Sequence, residues 1–323
     1  MLYLFFVLTY IFFSRLSWKK DESNHLENLK QNQTSIDCRP RESSESSYGS
    51  YILSVSETRT PLVCKNTNES CDISCHNLTY IIHEIKFPFK SHQKVVLNKI
   101  SATFCKANLN AIIGPAASGK SSLLHALAGN INSDNANITG NVLYGGNAIS
   151  LNSKPWERCP LVEKHDHYLR DLSIKESLLY ISYLKTADLP NSNSKQEIEN
   201  ASNNIIELLK LTHCANLKAK YLTKGQIRLL SIAEEIIFCT RKCLLIDEPI
   251  TDLNEKDTAI LINTLRNLVN NNYNVVVTLD TPSPAVFKSI DTCLLLRKGS
   301  KIYLGKAENA VNYFTSAPFK VNL

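Results

Sequence analysis

The sequence predicts an α/β fold, a largely parallel β-sheet with helices on its faces, preceded by an antiparallel β layer. Three observations carry this. From about Leu78 onward, short apolar runs alternate with longer segments of helical spacing, the pattern of strands joined by crossover helices. One such run, "LNAII" at 109–113, leads directly into "GPAASGKSS" at 114–122, a glycine-bearing loop between a strand and a helix. Another, "CLLI" at 243–246, ends on the acidic pair Asp247 and Glu248.

The first stretch, Leu2 to Phe13, is strongly apolar and is succeeded by Arg15, Lys19 and Lys20. Spanning a bilayer takes about 20 apolar residues, so residues 1–18 are read as a short membrane anchor, a cleaved signal or a misplaced start. Basic residues after the run favour a cytosolic location for the rest of the chain. Residues 19–77 are polar and weakly periodic, and read as a disordered linker. Its sequons at Asn32, Asn68 and Asn77 carry little weight, since others fall at Asn137 and Asn200 in the predicted globular part. The globular domain is drawn at 78–323. "YIIHEIKFPF" and "VVLNKISATF" read as the antiparallel strands, and "SSLLHALAG" as a helix closed by Gly129. A helical subdomain is drawn at about 155–235, with helices near 173–185 and after the Asn/Ser-rich stretch at 190–204. "EKDTAILINTLRNLVNN" is an amphipathic helix between the "CLLIDEP" and "NVVVTLD" strands, and "TCLLLRKGSKIYLG" is a hairpin turning at Gly299.

Composition excludes some functions. The net charge of +6 over 323 residues is spread without a dense basic run, which argues against nucleic acid as a partner. The ten cysteines form no CxxC pair, so neither a zinc site nor a redox couple is indicated. His165 and His167 flank Asp166, but histidines in a polar loop are more often solvated than metal-bound.

Gly114-x-x-x-x-Gly119-Lys120-Ser121 matches the phosphate-loop pattern in full. The glycines let backbone N–H groups turn inward, so Pro115, Ala116, Ala117, Ser118 and Ser122 are expected to contribute to the cradle. Lys120 is expected to reach the β- and γ-phosphates and Ser121 to bind Mg²⁺. Asp247 supplies a second oxygen for Mg²⁺, and Glu248 stands where it could polarise an attacking water. The expected ligands are therefore ATP and Mg²⁺.

The order of these motifs resembles the nucleotide-binding domain of ABC transporters, most closely the G subfamily. "LNAIIGPAASGKSSLLHALAG", "LLSIAEE", "LLIDEP" and "YFTSA" carry the likeness, from about Leu78 to the C-terminus. The resemblance implies a P-loop NTPase core with a helical subdomain and a second such domain closing face to face around two ATP molecules. It also implies a signature segment meeting the partner's phosphate loop and a polytopic membrane domain to drive. Beyond residue 20 no apolar run approaches 18 residues, so that membrane domain is expected to be separately encoded, with this domain cytosolic at the membrane.

Four positions depart from the family pattern. The signature reads Leu222-Thr223-Lys224-Gly225-Gln226, with Lys224 replacing a glycine; Lys164 stands in the place of a glutamine that contacts Mg²⁺. Asp280 occupies the position of a histidine facing the γ-phosphate, and Asn254 replaces an aspartate. An anion at 280 repels phosphate unless protonated or paired, with Lys164 the candidate partner. Phe87, or Tyr80 second, is the aromatic expected to stack on adenine. Two readings result: a transport ATPase subunit, and a hydrolysis-poor relative acting as a nucleotide-held regulator or scaffold. A soluble ATPase acting on ribosomes or DNA fits less well, for want of a second domain and a basic face.

Overall fold

The computed structural model describes residues 72–86, 90–131, 136–149, 159–186, 195–239 and 241–315. The apolar segment at 1–18, the polar segment up to 71, and Phe87 lie outside the described residues.

Two sheets form the domain. The first is antiparallel, in the order β2-β1-β4-β5. Strand β1 (Ile73–Lys86) pairs with β2 (Lys90–Phe104) on one side and β4 (Ala136–Tyr144) on the other, and β5 (Asn147–Ile149) pairs with β4. β1 begins at Ile73, inside the stretch read as linker. Its simple alternation is broken by a register shift between Cys75 and Leu78, where Asn77 takes a positive φ of 50°. Ile73, Cys75 and Leu78 all remain fully buried across this bulge.

The second sheet has the order β10-β9-β3-β8-β7-β6. β3 (Leu109–Ile113) runs parallel to β8 (Asn274–Leu279) and to β9 (Thr292–Arg297). β7 (Cys243–Ile246) runs parallel to β8 and to β6 (Leu161–Val162). β10 (Ser300–Lys306) returns antiparallel along β9. Successive side chains of a strand face opposite ways, and both faces are apolar. Leu109, Ala111, Leu244, Ile246, Val275 and Val277 enter one core cluster. Ile112, Cys243, Leu245, Val276 and Leu294 enter the other. The near-continuous apolar runs seen in sequence are those of strands covered on both sides.

Helix α1 (Lys120–Ala128) packs Leu123, Leu124 and Leu127 into the second cluster, together with residues of the antiparallel layer such as Leu97 and Phe104. It stops at Gly129, whose φ of 74° lets its N–H close on Ala126. On the other face lie α2 (Ile174–Thr186), α3 (Lys195–Leu208), α4 (Lys224–Ile236) and α5 (Glu255–Asn270), with Leu178, Ile205, Leu230 and Leu265 in the first cluster. Two short helices, α6 (Pro284–Lys288) and α7 (Ala307–Thr315), come after β8 and β10. Among the described residues no helix is long and apolar enough to cross a membrane.

The β9–β10 turn, Lys298 and Gly299, has positive φ at both residues, 49° and 72°, as a tight hairpin turn requires. It also holds two other parts together. Gly299 N–H donates to Ser118 O at 2.9 Å, and Gly299 O accepts from Asn98 N–H at 2.8 Å. A Cβ at Gly299 would lie 2.2 Å from Val96 O, so no side chain fits there without displacing β2.

Candidate functional site

The site forms where β3, β7 and β8 end, the edge at which open α/β sheets bind ligands. From β3 the chain turns into 114–119 and enters α1 at Lys120. Ala117 and Gly119 take positive φ of 59° and 101°, and Ser118 N–H donates to Pro115 O at 3.1 Å to close the turn. A Cβ on Gly114 would fall 2.3 Å from Leu296 O and 2.8 Å from Ser118 Oγ, so glycine is needed for this close approach. Pro115, Ala116 and Ala117 are exposed, Ser121 and Ser122 half-buried, and Ser118 buried. Ser118 Oγ is buried without a hydrogen-bond partner, and the first turn of a nine-residue helix adjoins it. A buried unpartnered hydroxyl at a helix N-terminus fits a phosphate group.

Ser121 Oγ donates to Asp247 Oδ1 at 3.1 Å. The pair puts one hydroxyl and one carboxylate side by side, a donor set of the all-oxygen kind that Mg²⁺ takes. Asp247 Oδ1 also accepts from Thr278 Oγ1 at 2.5 Å, and Thr278 Oγ1 accepts from Glu248 N–H at 2.8 Å. Sequence reasoning missed Thr278: a threonine inside an apolar β-strand gives no motif signal.

Glu248 sits just past β7 in a left-handed conformation, φ 44°, one that non-glycine residues rarely hold. Its Oε2 accepts from Thr251 Oγ1 at 3.1 Å and pairs with Lys164 Nζ at 2.6 Å. That pairing, with further attraction from Asp280 and Asp247, raises the pKa of the Lys164 ammonium. Lys120 is buried. Its Nζ donates to Gly114 O at 2.8 Å and Pro115 O at 3.1 Å and pairs with Asp280 Oδ1 at 2.5 Å. Asp280 is therefore paired with Lys120 and not with Lys164, which Glu248 holds instead.

The signature segment has a different surrounding. Thr223 Oγ1 accepts from Gln226 N–H at 3.2 Å, and Gln226 Oε1 accepts from Thr223 N–H at 3.0 Å. This reciprocal capping box starts α4, so both polar side chains are already engaged in closing the helix. Gly225 packs on α5, where a Cβ would come within 2.7 Å of Asp257 Cβ. Asn254 caps α5 by accepting from Asp257 N–H at 2.7 Å, a task asparagine performs as well as aspartate. A cleft of about 490 Å³ lies here, lined by Thr223, Lys224, Gly225, Gln226, Asp252 and Asn254 among others. Among the described residues no hydrogen bond or ion pair joins this segment to 114–122. Tyr80, on β1, is partly buried against the second core cluster, and His165 and His167 are exposed.

Arg228, on α4, is a second residue the sequence did not flag. It donates to Glu163 O at 2.7 Å and Lys164 O at 2.6 Å, and pairs with Asp166 at 3.1 Å. The loop that presents Lys164 is thereby held to the helix that the signature begins.

Comparison with known proteins adds to this geometry. Residues 97–251 match the family described as ABC transporter. The chain is 30% identical over 240 residues to ABC transporter G family member 14 of Arabidopsis thaliana, covering 73% of this chain and 36% of that protein. It is also 30% identical over 274 residues to ABC transporter G family member 24 of Dictyostelium discoideum, covering 81% of this chain and 23% of that protein. The chain thus spans about a third or less of these relatives. Among solved structures, the ATP-binding cassette of an ABC transporter in its ADP conformation aligns with TM-score 0.61 at 23% identity, over 78% of this chain and 96% of that one. A nucleotide-free ATP-binding cassette aligns with TM-score 0.58 at 20% identity, over 79% and 100%.

Proposed function

We propose, on the premise that the chain carries a domain of the ABC transporter family akin to those of the G family, that it is the Mg-ATP-binding subunit of a transport system. It would pair with a second cassette and work on a membrane domain, at the cytosolic face of the membrane. The observation that carries this reading is the Ser121–Asp247 pair beside the phosphate loop, with Glu248 next in the chain.

In this reading Gly114–Ser122 cradles the phosphates with backbone N–H groups, and Lys120 balances their charge. Ser121 and Asp247 would hold Mg²⁺, which supplies Lewis-acid polarisation of the phosphate oxygens. Thr278 fixes the Asp247 carboxylate by donating to Oδ1. Glu248 orients the attacking water and accepts its proton as phosphate is transferred. Thr223, Lys224, Gly225 and Gln226 would present the α4 N-terminus to the partner's nucleotide. Phe87 remains the first choice for stacking on adenine.

Two ion pairs favour a second reading, a nucleotide-held regulator with little hydrolysis. Lys164 engages the carboxylate proposed as base, and Asp280 engages the phosphate-loop lysine. Phosphate release by the full chain in Mg-ATP, with Glu248→Gln as the zero, separates the two. Turnover at least about tenfold above that control, a barrier difference near 1.4 kcal/mol, is expected of a transport ATPase. ATP binding with release no faster than the control would leave the regulator.

A further inference from the structure

We propose that Asp280 sets the nucleotide state this site prefers, making it hold a nucleoside diphosphate more tightly than a triphosphate. The inference rests on the nucleotide-binding reading above and specifies which nucleotide the site keeps.

Lys120 is the starting point. Its Nζ donates to Gly114 O and Pro115 O, and its charge is paired with Asp280 Oδ1 at 2.5 Å, an ion pair without hydrogen-bond geometry. In a phosphate loop this lysine serves the β- and γ-phosphates. A terminal phosphate oxygen would therefore compete with the Asp280 carboxylate for Lys120. Asp280 comes directly after Leu279, the last residue of β8, whose neighbour in the sheet is β3. The sheet thus fixes its backbone beside the phosphate loop, while its side chain is 40% exposed.

The nearby cation cannot easily compensate, because Lys164 is paired with Glu248 at 2.6 Å. Around the site stand the ammonium groups of Lys120 and Lys164, the Arg228 guanidinium, which also attracts Asp247, and the carboxylates of Asp247, Glu248 and Asp280. A γ-phosphate has to displace the Asp280 carboxylate from Lys120 and then lie beside it. A diphosphate stops short. Its β-phosphate can take the loop N–H groups, the unpartnered Ser118 Oγ and Ser121, while Asp280 stays where it is. Mg²⁺ on Ser121 and Asp247 would serve either nucleotide.

The test is calorimetric titration of the full chain with ADP and with a β,γ-imido analogue of ATP, each with Mg²⁺ and with EDTA. The wild type is expected to bind ADP about tenfold or more tightly than the analogue, a difference of roughly 1.4 kcal/mol. Asp280→Asn should bring the ratio to unity or invert it, chiefly by tightening the triphosphate analogue, while Asp280→Glu should keep the preference. Melting curves verify folding of each variant, and Asp280→Ser serves if the asparagine variant is unstable. Equal or tighter binding of the analogue by the wild type would overturn the inference. So would a diphosphate preference that Asp280→Asn leaves unmoved. Failure to bind either nucleotide would instead overturn the nucleotide-binding reading itself.

Discussion

Thr278 is fully buried and uncharged, yet two groups of the site depend on its hydroxyl. It donates to Asp247 Oδ1 and accepts from the Glu248 backbone N–H. Thr278→Val keeps the branched shape that suits a buried strand and removes both bonds. Leaving a buried carboxylate oxygen and a buried N–H short of partners costs about 1–3 kcal/mol. Denaturant unfolding should register that loss, and nucleotide titrations should become less dependent on Mg²⁺ as Asp247 loses its fixed orientation. Unchanged stability together with unchanged Mg²⁺ dependence would remove Thr278 from the site.

At the scale of an element, α4 gathers more charge than a core-facing helix usually tolerates. Arg228, Ser231 and Glu235 succeed one another at spacings that share a face. Arg228 and Ser231 both reach Asp166, the latter at 3.0 Å. Near its end, Lys185 from α2 donates to Glu234 O and Glu235 O at 2.6 and 3.0 Å, satisfying carbonyls that the last turn leaves open. Burial pushes the Glu234 carboxyl up to about 8, with the Glu235 charge adding and Lys185 opposing. The folded protein therefore keeps a proton there that the unfolded chain releases near 4.5. Stability falls as pH rises between these two values. Glu234→Gln removes this dependence, so the variant should exceed the wild type by at least about 1 kcal/mol near pH 8 and by little near pH 5. Parallel melting curves at both pH values check it.

Elements also differ in how far they are legible in the sequence. The phosphate loop, β3, α1, α5 and the β9–β10 hairpin are written in contiguous patterns of a few residues, and each is readable. β6 is two residues long, too short for any periodicity, and β1 hides its start behind a bulge at Asn77. At the site, Ser121, Asp247 and Glu248 are legible because their motifs are local. The partners of Lys164 and Asp280 are not. Which carboxylate meets which ammonium depends on how β7, β8 and the loop at 163–166 come together, and nothing local to either residue encodes it.

Across the whole domain, the phosphate loop is fastened from outside itself. Gly299 bonds to Ser118 on one side and to Asn98 on the other, so the hairpin turn joins the loop to the antiparallel layer. Gly299→Ala places a methyl 2.2 Å from Val96 O at a φ of 72°. The turn then has to shift, with an expected loss of about 1–3 kcal/mol. Nucleotide affinity should fall as well, although Gly299 is not among the residues proposed to touch nucleotide. Matched unfolding and titration experiments test both, and a stable variant with intact affinity would show that the fastening is dispensable.

The fastening also orders events in time. The phosphate loop is made early and its clasp is made roughly 180 residues later, a long-range contact of the kind that forms slowly. During synthesis the chain elongates at about 5–20 residues per second, so the loop spends on the order of 10 to 40 seconds without Gly299. A ribosome-bound chain makes the bond between Gly299 and Ser118 only after most of the second sheet is translated.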